Sequence, residues 1–342
     1  MSKKTYRAAI YHAAGDVKVE EKEYPVCGDN DVIIKNLMAG VCGSDIGSYQ
    51  SGGEAHMIYP GDEFGHEMIS EVVEVGKNVT CLKVGDHVFP NMGFAHRSFA
   101  RMASVGGFSE YLKILDCEEG YSYVRIPDDL PLKEAVLFEP FVIGTRGAAF
   151  TDPGPGRTAI VFGAGIIGMS AAIMLRWYGC DKVMIADIAE TRLERARSFG
   201  ILTVNTSEDG WKDKVIAEFG AGEGFGAGFC NADILMDCAG VQPVVDSIAS
   251  LAKRGATIGI VGVHHEPVTM DFVSLCYNSW MIKGCGVLDI FDAAKDIFAM
   301  MKSGKYQLAS LVSHEYPLER ICDAIEMAGT ATEAQKVVIR HA

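Results

Sequence analysis

Three short segments of this 342-residue chain carry side chains that bind metal ions. In Gly40-Val41-Cys42-Gly43-Ser44-Asp45 a cysteine stands between glycines. Gly61-Asp62-Glu63-Phe64-Gly65-His66-Glu67 pairs an imidazole with a carboxylate, and Glu139-Pro140 offers a second carboxylate far downstream. Zinc accepts thiolate, imidazole and carboxylate ligands, and catalytic zinc sites use three protein ligands with one position open to water or substrate. Cys42, His66 and a glutamate would make such a set. Taken singly, each also has an ordinary reading: a buried thiol, a surface pair, a carboxylate at a helix start. Their combination with a nucleotide motif carries the argument.

That motif is Gly163-Ala164-Gly165-Ile166-Ile167-Gly168, which follows an apolar run and opens a helical one. A bare GxGxxG is weak, but strand-turn-helix is the context that gives it meaning. The first glycine permits the tight turn, the second lets a pyrophosphate approach the backbone, and the third allows close helix-strand packing. Unpaired N–H groups and the positive helix end then face the phosphates. Asp187 stands about 20 residues beyond, where a carboxylate accepts bonds from both ribose hydroxyls and repels a 2′-phosphate. This favours NAD over NADP. Alone, Asp187 would read as a helix cap. Arg192, which could stack on or bond the adenosine end, and Val261, at the end of a later strand, complete the cofactor candidates.

Composition bounds the alternatives. A net charge of -14 and a pI near 5.1 disfavour nucleic acid, which is bound by neutralising phosphates. They give an anionic membrane surface no support. The N-terminus lacks an apolar run behind its lysines, so no secretory signal is expected. No uninterrupted apolar stretch is long enough to span a bilayer. The 10 cysteines include no CxxC pair, as expected of reduced, mostly buried thiols in a cytoplasmic protein.

The elements that must position these residues fall into two kinds. Residues 1–148 read as mostly β, with short runs at 32–35, 69–75, 87–90 and 109–115 separated by Gly/Asp turns. A Pro/Gly-rich connection, Thr151-Asp152-Pro153-Gly154-Pro155-Gly156, precedes a change of pattern. From Thr158 apolar strands alternate with helices (strands 158–162, 183–186, 234–236, 257–261; helices 166–178, 190–199, 244–253). Such alternation implies a parallel sheet covered on both faces. Two helices, 293–301 and 319–327, and a strand, 337–340, follow Gly284.

The segments GVCGSDIGSY, PGDEFGHE, EVGKNVTCLKVGDHV, GGFSEY, FEPFVIG, VFGAGIIG, DCAG and MIKG, in this order, resemble the zinc-containing medium-chain dehydrogenases, and most closely their sorbitol (polyol) branch. The resemblance covers essentially the whole chain. It implies an α/β fold: a GroES-like β-barrel catalytic domain over 1–148, completed by 285–342, and a Rossmann doubly wound parallel-sheet domain over 149–284, with the active site in the cleft between them. Cys42 and His66 match the family's zinc ligands, and Glu67 and Glu139 match the carboxylates of its polyol branch. It further implies that zinc acts as a Lewis acid on the substrate hydroxyl while hydride passes to the nicotinamide. Ser44 would relay the alcohol proton, Asp45 would orient a ligand, and Tyr49 would line the substrate site. The expected product is a ketone from a secondary alcohol of a polyol, sugar or cyclitol, made by a homodimer or homotetramer joined through its Rossmann sheets.

The chain also departs from the pattern. Most zinc members carry a four-cysteine structural zinc lobe, yet residues 89–108 contain no cysteine. One catalytic zinc and no structural zinc is the expectation. His96, Arg97, Phe99 and Arg101 stand there instead, a loop that would serve an oligomer interface, narrow the cleft, or simply be solvated. Gly47 takes the place of a relay histidine found in many relatives, leaving proton exit to the cofactor ribose, water or another group. Cys285-Gly286-Val287 replaces a segment in which sorbitol enzymes carry an arginine, and Arg146 stands where a histidine is common. These changes leave a threonine- or sugar-phosphate-type dehydrogenase as the alternative enzyme, and a non-catalytic dinucleotide-binding protein as the alternative of another class.

Overall fold

A computed structural model describes residues 4–92, 99–284, 289–330 and 332–342, with the backbone alone at Phe99. His96, Arg97 and Cys285-Gly286-Val287 lie outside the described residues. Strands β1 (Thr5–Ala13), β2 (Asp16–Glu23) and β3 (Val32–Gly40) lead into helix α1 (Gly43–Ser51). Strands β4 (Glu67–Val75), β5 (His87–Pro90), β6 (Tyr111–Ile114) and β7 (Tyr123–Arg125) and helices α2 (Leu132–Ala135) and α3 (Phe138–Phe150) follow. Then come β8 (Thr158–Phe162), α4 (Ile166–Trp177), β9 (Lys182–Asp187), α5 (Glu190–Ser198), β10 (Leu202–Asn205), α6 (Trp211–Phe219), β11 (Ile234–Asp237), α7 (Gln242–Leu251), β12 (Thr257–Ile260), α8 (Phe272–Asn278) and β13 (Met281–Gly284). The chain closes with α9 (Ile290–Lys302), β14 (Val312–Pro317), α10 (Ile321–Ala328) and β15 (Lys336–Arg340).

Two compact units result, Met1–Glu139 with Met301–Ala342, and Pro140–Met300. The family resemblance implies boundaries at 148 and 284. Most of α9 goes with the second unit, to which the Tyr178 hydroxyl ties it by a 2.7 Å bond to Asp296. The strands that return to the first unit are β14 and β15.

In the first unit the β14-β15-β3-β4-β5-β7 sheet, with β6 also on β3, is antiparallel except for the β14-β15 pair. Its register matters to the site. Gly40, the last residue of β3, lies opposite Glu67 on one side and Val338 on the other. Alternate strand residues share a face, so Lys336 comes to the Gly40 side with Val338. Phe64 and Phe108, both fully buried, meet edge to face with centroids 5.0 Å apart beneath this region. Gly65 turns between them with φ +87, and a Cβ there would sit 2.8 Å from the Phe108 ring. That left-handed turn, open to glycine, aims His66.

The second unit holds a six-stranded parallel sheet, β10-β9-β8-β11-β12-β13. This is the order of the dinucleotide-binding sheet, which reverses between β8 and β11. Helix α7 begins at Gln242, ahead of Val244, because Pro243 fits the first helical turn, where its missing N–H costs nothing. Among the described residues no helix is long and apolar enough to cross a membrane.

Candidate metal centre and dinucleotide site

Cys42 is the residue from which α1 starts, in extended conformation (φ -94, ψ 161). Asp45 reaches back and accepts the Cys42 N–H at 2.8 Å, fixing the backbone that carries the thiol. Asp45 is fully buried, and burial pushes its carboxyl up to about 6 despite the pull of His66. The register of β3 and β4 delivers His66 and Glu67, only 7% and 2% exposed, to the same place. One ligand atom from each of Cys42, His66 and Glu67 falls within 4.8 Å of the others.

Glu67 has a second neighbour. Lys336, 3% exposed, forms an ion pair with Glu67 Oε2 and donates to the Val41 carbonyl at 2.8 Å. Gly40 makes room for both, since a Cβ there would lie 2.3 Å from Glu67 Oε2 and 2.6 Å from Lys336 Cε. Burial works against the Lys336 charge, but Glu67, Cys42 and Glu139 outweigh it and raise its pKa. The same contest is fought at His66: burial lowers proton affinity, while Cys42, Asp45 and Glu139 together lift it well above the ordinary imidazole value. Glu139, in the first turn of α3 and 5% exposed, therefore acts on the cluster electrostatically without belonging to the three-residue set.

These residues fit a zinc ion. Thiolate, imidazole and carboxylate converge, and His66 Nδ1, Asp45 Oδ1 and Ser44 Oγ are buried without a hydrogen-bond partner. A pocket that raises the proton affinity of its own histidine is one that favours a cation. The ion would be held by Cys42, His66 and Glu67, with Glu139 and Asp45 nearby. Tyr49, by contrast, turns its hydroxyl toward Glu326 of α10 at 3.4 Å.

In the second unit the glycine turn is built as its residue types require. Gly163 has φ +107, and a Cβ there would lie 3.2 Å from the backbone of Cys238. A Cβ on Gly168 would fall 1.8 Å from the Gly163 carbonyl oxygen, so helix α4 and the turn touch backbone to backbone. Gly165, the cap of α4, faces open space. Ile167 lies in the first turn of α4 and its carbonyl accepts the Ser170 hydroxyl at 2.8 Å. Asp187 ends β9 and spends one lone pair per oxygen on backbone, accepting Ala164 N–H at 2.6 Å and Ala189 N–H at 2.8 Å. A carboxylate has about four acceptor sites, so both oxygens can still take a hydroxyl. Arg192 on α5 lies close enough to Arg195 to lower the latter's pKa, behind the larger effect of burial. Val261 follows β12 and donates to the Asp237 carbonyl at 2.9 Å. Arg146 lies in the part of α3 that belongs to this unit.

Sequence reasoning missed two pairs. Lys336 gave only a faint signal, a lysine heading an otherwise apolar strand. Asp237, fully buried at the end of β11, accepts the N–H groups of Ala239 and Gly240 with one oxygen and meets His264 Nε2 at 2.8 Å with the other. The DCAG segment displayed the aspartate, but nothing local named its partner.

Comparison with known proteins agrees with this chemistry. Residues 28–127 match the alcohol dehydrogenase GroES-like domain, and residues 167–303 match the zinc-binding dehydrogenase domain. A protein of Agrobacterium fabrum provisionally named D-xylulose reductase is 31% identical over 331 residues, covering 92% of this chain and 90% of its own. Sorbitol dehydrogenase of Gallus gallus is 26% identical over 335 residues, with 93% and 92% covered. The fold matches the crystal structure of 2R,3R-butanediol dehydrogenase from Bacillus subtilis, with a TM-score of 0.83 at 22% identity over 98% and 99% of the two chains. Zinc and a nicotinamide dinucleotide are the cofactors that this kinship implies. Two family domains in the right order and a full-length relative above 30% identity lead to one conclusion: the chain is an oxidoreductase belonging to the zinc-dependent medium-chain alcohol dehydrogenase family, in its polyol dehydrogenase-like part.

Proposed function

We propose that the protein oxidises a secondary alcohol of a polyol, sugar or cyclitol to the ketone, with NAD as hydride acceptor and a single catalytic zinc. The convergence of Cys42, His66 and Glu67 within 4.8 Å is the observation that carries this reading. A zinc ion held there supplies Lewis acidity toward the substrate hydroxyl. The chain's own residues do the rest. Asp45 holds the Cys42 backbone in place. Lys336 offsets the Glu67 charge, and Ser44 offers an enclosed hydroxyl to the alcohol proton. The carboxylate of Asp187, anchored by Ala164 and Ala189, favours a free ribose 2′-hydroxyl over a phosphate.

The polyol reading follows the relatives' names and the carboxylate at Glu139, where simple-alcohol enzymes would have a cysteine. Association of copies through β13 fits an exposed sheet edge, where Met281 and Ile282 are 48% and 43% exposed beside Phe272, Val273 and Tyr277 of α8. Apolar edges of this kind are normally covered by another chain or by another element.

The test is the nicotinamide absorbance change of zinc-loaded protein with NAD or NADP across polyols, sugars, sugar phosphates, cyclitols and amino alcohols. A chelator-sensitive, NAD-dependent signal confined to one polyol-like class is expected. A signal only with threonine or a sugar phosphate would replace the substrate class. Silence from protein that binds no zinc would overturn the reading.

A further inference from the structure

Ser44 and Gly47 stand three positions apart on α1 and so share a helix face. Ser44 Oγ is enclosed and has no hydrogen-bond partner. Gly47 leaves a gap on this face, and the gap is filled. A Cβ at Gly47 would lie 2.4 Å from His56 Nε2, 3.0 Å from its Cε1 and 3.3 Å from its Cδ2. The ring edge of His56 therefore rests on the helix where a side chain at 47 would emerge. Neighbours at this spacing have Cβ atoms roughly 5–6 Å apart, which puts Ser44 Cβ within about 8 Å of the imidazole nitrogen. What remains beyond the serine hydroxyl is of the length that one bridging water covers.

The turn that presents His56 is built rather than incidental. Gly53 accepts both the His56 N–H at 2.9 Å and the Ile58 N–H at 3.0 Å. A side chain on Gly53 would strike the Ile58 carbonyl at 2.1 Å, and Ile58 itself is fully buried. Met57 takes the left-handed conformation, φ 59, and its carbonyl is held by the Ser104 hydroxyl at 2.9 Å. On this anchored turn His56 is half-buried while Ala55 and Met57 on either side are exposed. The ring thus runs from the enclosed face of α1 to solvent.

Building on the dehydrogenase reading, we propose that His56 is the proton-exit group of this enzyme, serving Ser44 from a turn instead of from α1. Oxidation of one secondary alcohol by one NAD+ gives one ketone, one NADH and one proton. The carbinol C–H bond breaks and its hydrogen leaves as hydride to the nicotinamide, while the O–H proton must reach water. Ser44 takes that proton as it passes its own onward, and His56 accepts it across the bridging water and releases it to solvent. An imidazole suits the task because its ordinary pKa lies near neutrality. Glycine at 47 and histidine at 56 are complementary: side chains at both positions would compete for the same space.

The experiment compares wild type with His56→Gln, Gly47→Ala and the double variant Gly47→His/His56→Ala, in weak buffer, with NADH affinity by fluorescence and zinc content measured alongside. His56→Gln should lower kcat by about 10²-fold, the low end of what a positioned proton-transfer group contributes. Added imidazole buffer should restore it, and NADH affinity and zinc content should stay unchanged. Gly47→Ala should show the same buffer-dependent loss, since its methyl group must push the ring aside, although alanine is the better helix former. The double variant returns an imidazole to the shared space and should recover turnover. Wild-type kcat in both single variants, insensitive to buffer, would overturn the relay. Should His56→Gln not fold, Gly47→Ala decides alone. A wild-type protein that turns over no alcohol would instead remove the dehydrogenase reading, and the relay with it.

Discussion

The proposed metal centre and the proposed dinucleotide turn would solve the same problem, holding a charged ligand, by opposite means. The centre is made of side chains, buried but for the half-buried Cys42, from the start of β4 and the residue before it, the start of α1, α3 and β15. Strand register brings Glu67 and Lys336 together. The turn is made of backbone from one short run of sequence, and its glycines matter for what they leave out. A side-chain centre concentrates uncompensated charge and must be balanced from afar, as Lys336 balances Glu67. A backbone site carries only partial charges and needs little balancing. Chemistry at the first should therefore be lost through single residues, whereas binding at the second should degrade in steps.

Cys42→Ser gives the sharpest break. Turnover should fall to background with loss of zinc, while NADH affinity changes less than about twofold, measured by absorbance and by NADH fluorescence. Simultaneous loss of NADH binding would mean that the two regions are not separable. Next in size is Lys336→Met, which leaves Glu67 as a buried charge without its partner. Removal of one partner of a buried pair costs about 3–5 kcal/mol. The metal-free variant should show that loss in denaturant titration, and zinc should recover part of it. Equal stability with and without the lysine would show that Glu67 is balanced some other way.

A pair of buried histidines extends the contrast. His66 sits among anions and holds a proton more tightly than usual, whereas burial pushes His341 down to about 4. His341 is neutral in both folded and unfolded chains above pH 6.5. As pH falls through 6.5 toward 4 the unfolded chain takes the proton first, and stability drains away by about 3 kcal/mol in all. His341→Gln keeps a donor for the Gly107 carbonyl, bonded at 3.0 Å, and should flatten this loss. Denaturation midpoints at pH 7 and pH 4.5 would check it, and an unchanged pH slope would refute it. The smallest effect is expected at the backbone site. Asp187→Ala should relax the preference for NAD over NADP by about tenfold, roughly 1.4 kcal/mol, with NADH still bound. Unchanged selectivity would remove Asp187 from ribose recognition.

How far the sequence could be read follows the same division. The 163–168 turn and Asp187 were legible because the elements joining them are local and strongly patterned. Cys42, His66 and Glu67 were legible through residue chemistry and family resemblance, but their meeting depends on pairing between β3 and β4. Lys336 and the facing of Gly47 by His56 were not legible, because long-range register and an irregular turn create them. Short elements such as β10 and α8 also escaped notice: β10 shows only four residues, and α8 follows a loop without marked periodicity. The start of α7 slipped by two residues for a local reason, a proline that stops helices inside but begins them at the edge.

Lys336 also sets an order of events during synthesis. At roughly 5–20 residues per second, about 15–50 s separate the emergence of Glu67 from that of Lys336. For that time the nascent chain presents Cys42, His66 and Glu67 with no lysine to compete for the carboxylate. A metal ion arriving in that interval would meet Glu67 without Lys336 beside it, and one arriving later would meet the Glu67–Lys336 pair. Apo-protein refolded whole and protein loaded on the ribosome would then reach the same centre by different routes, with different sensitivity to the metals available at the moment of birth.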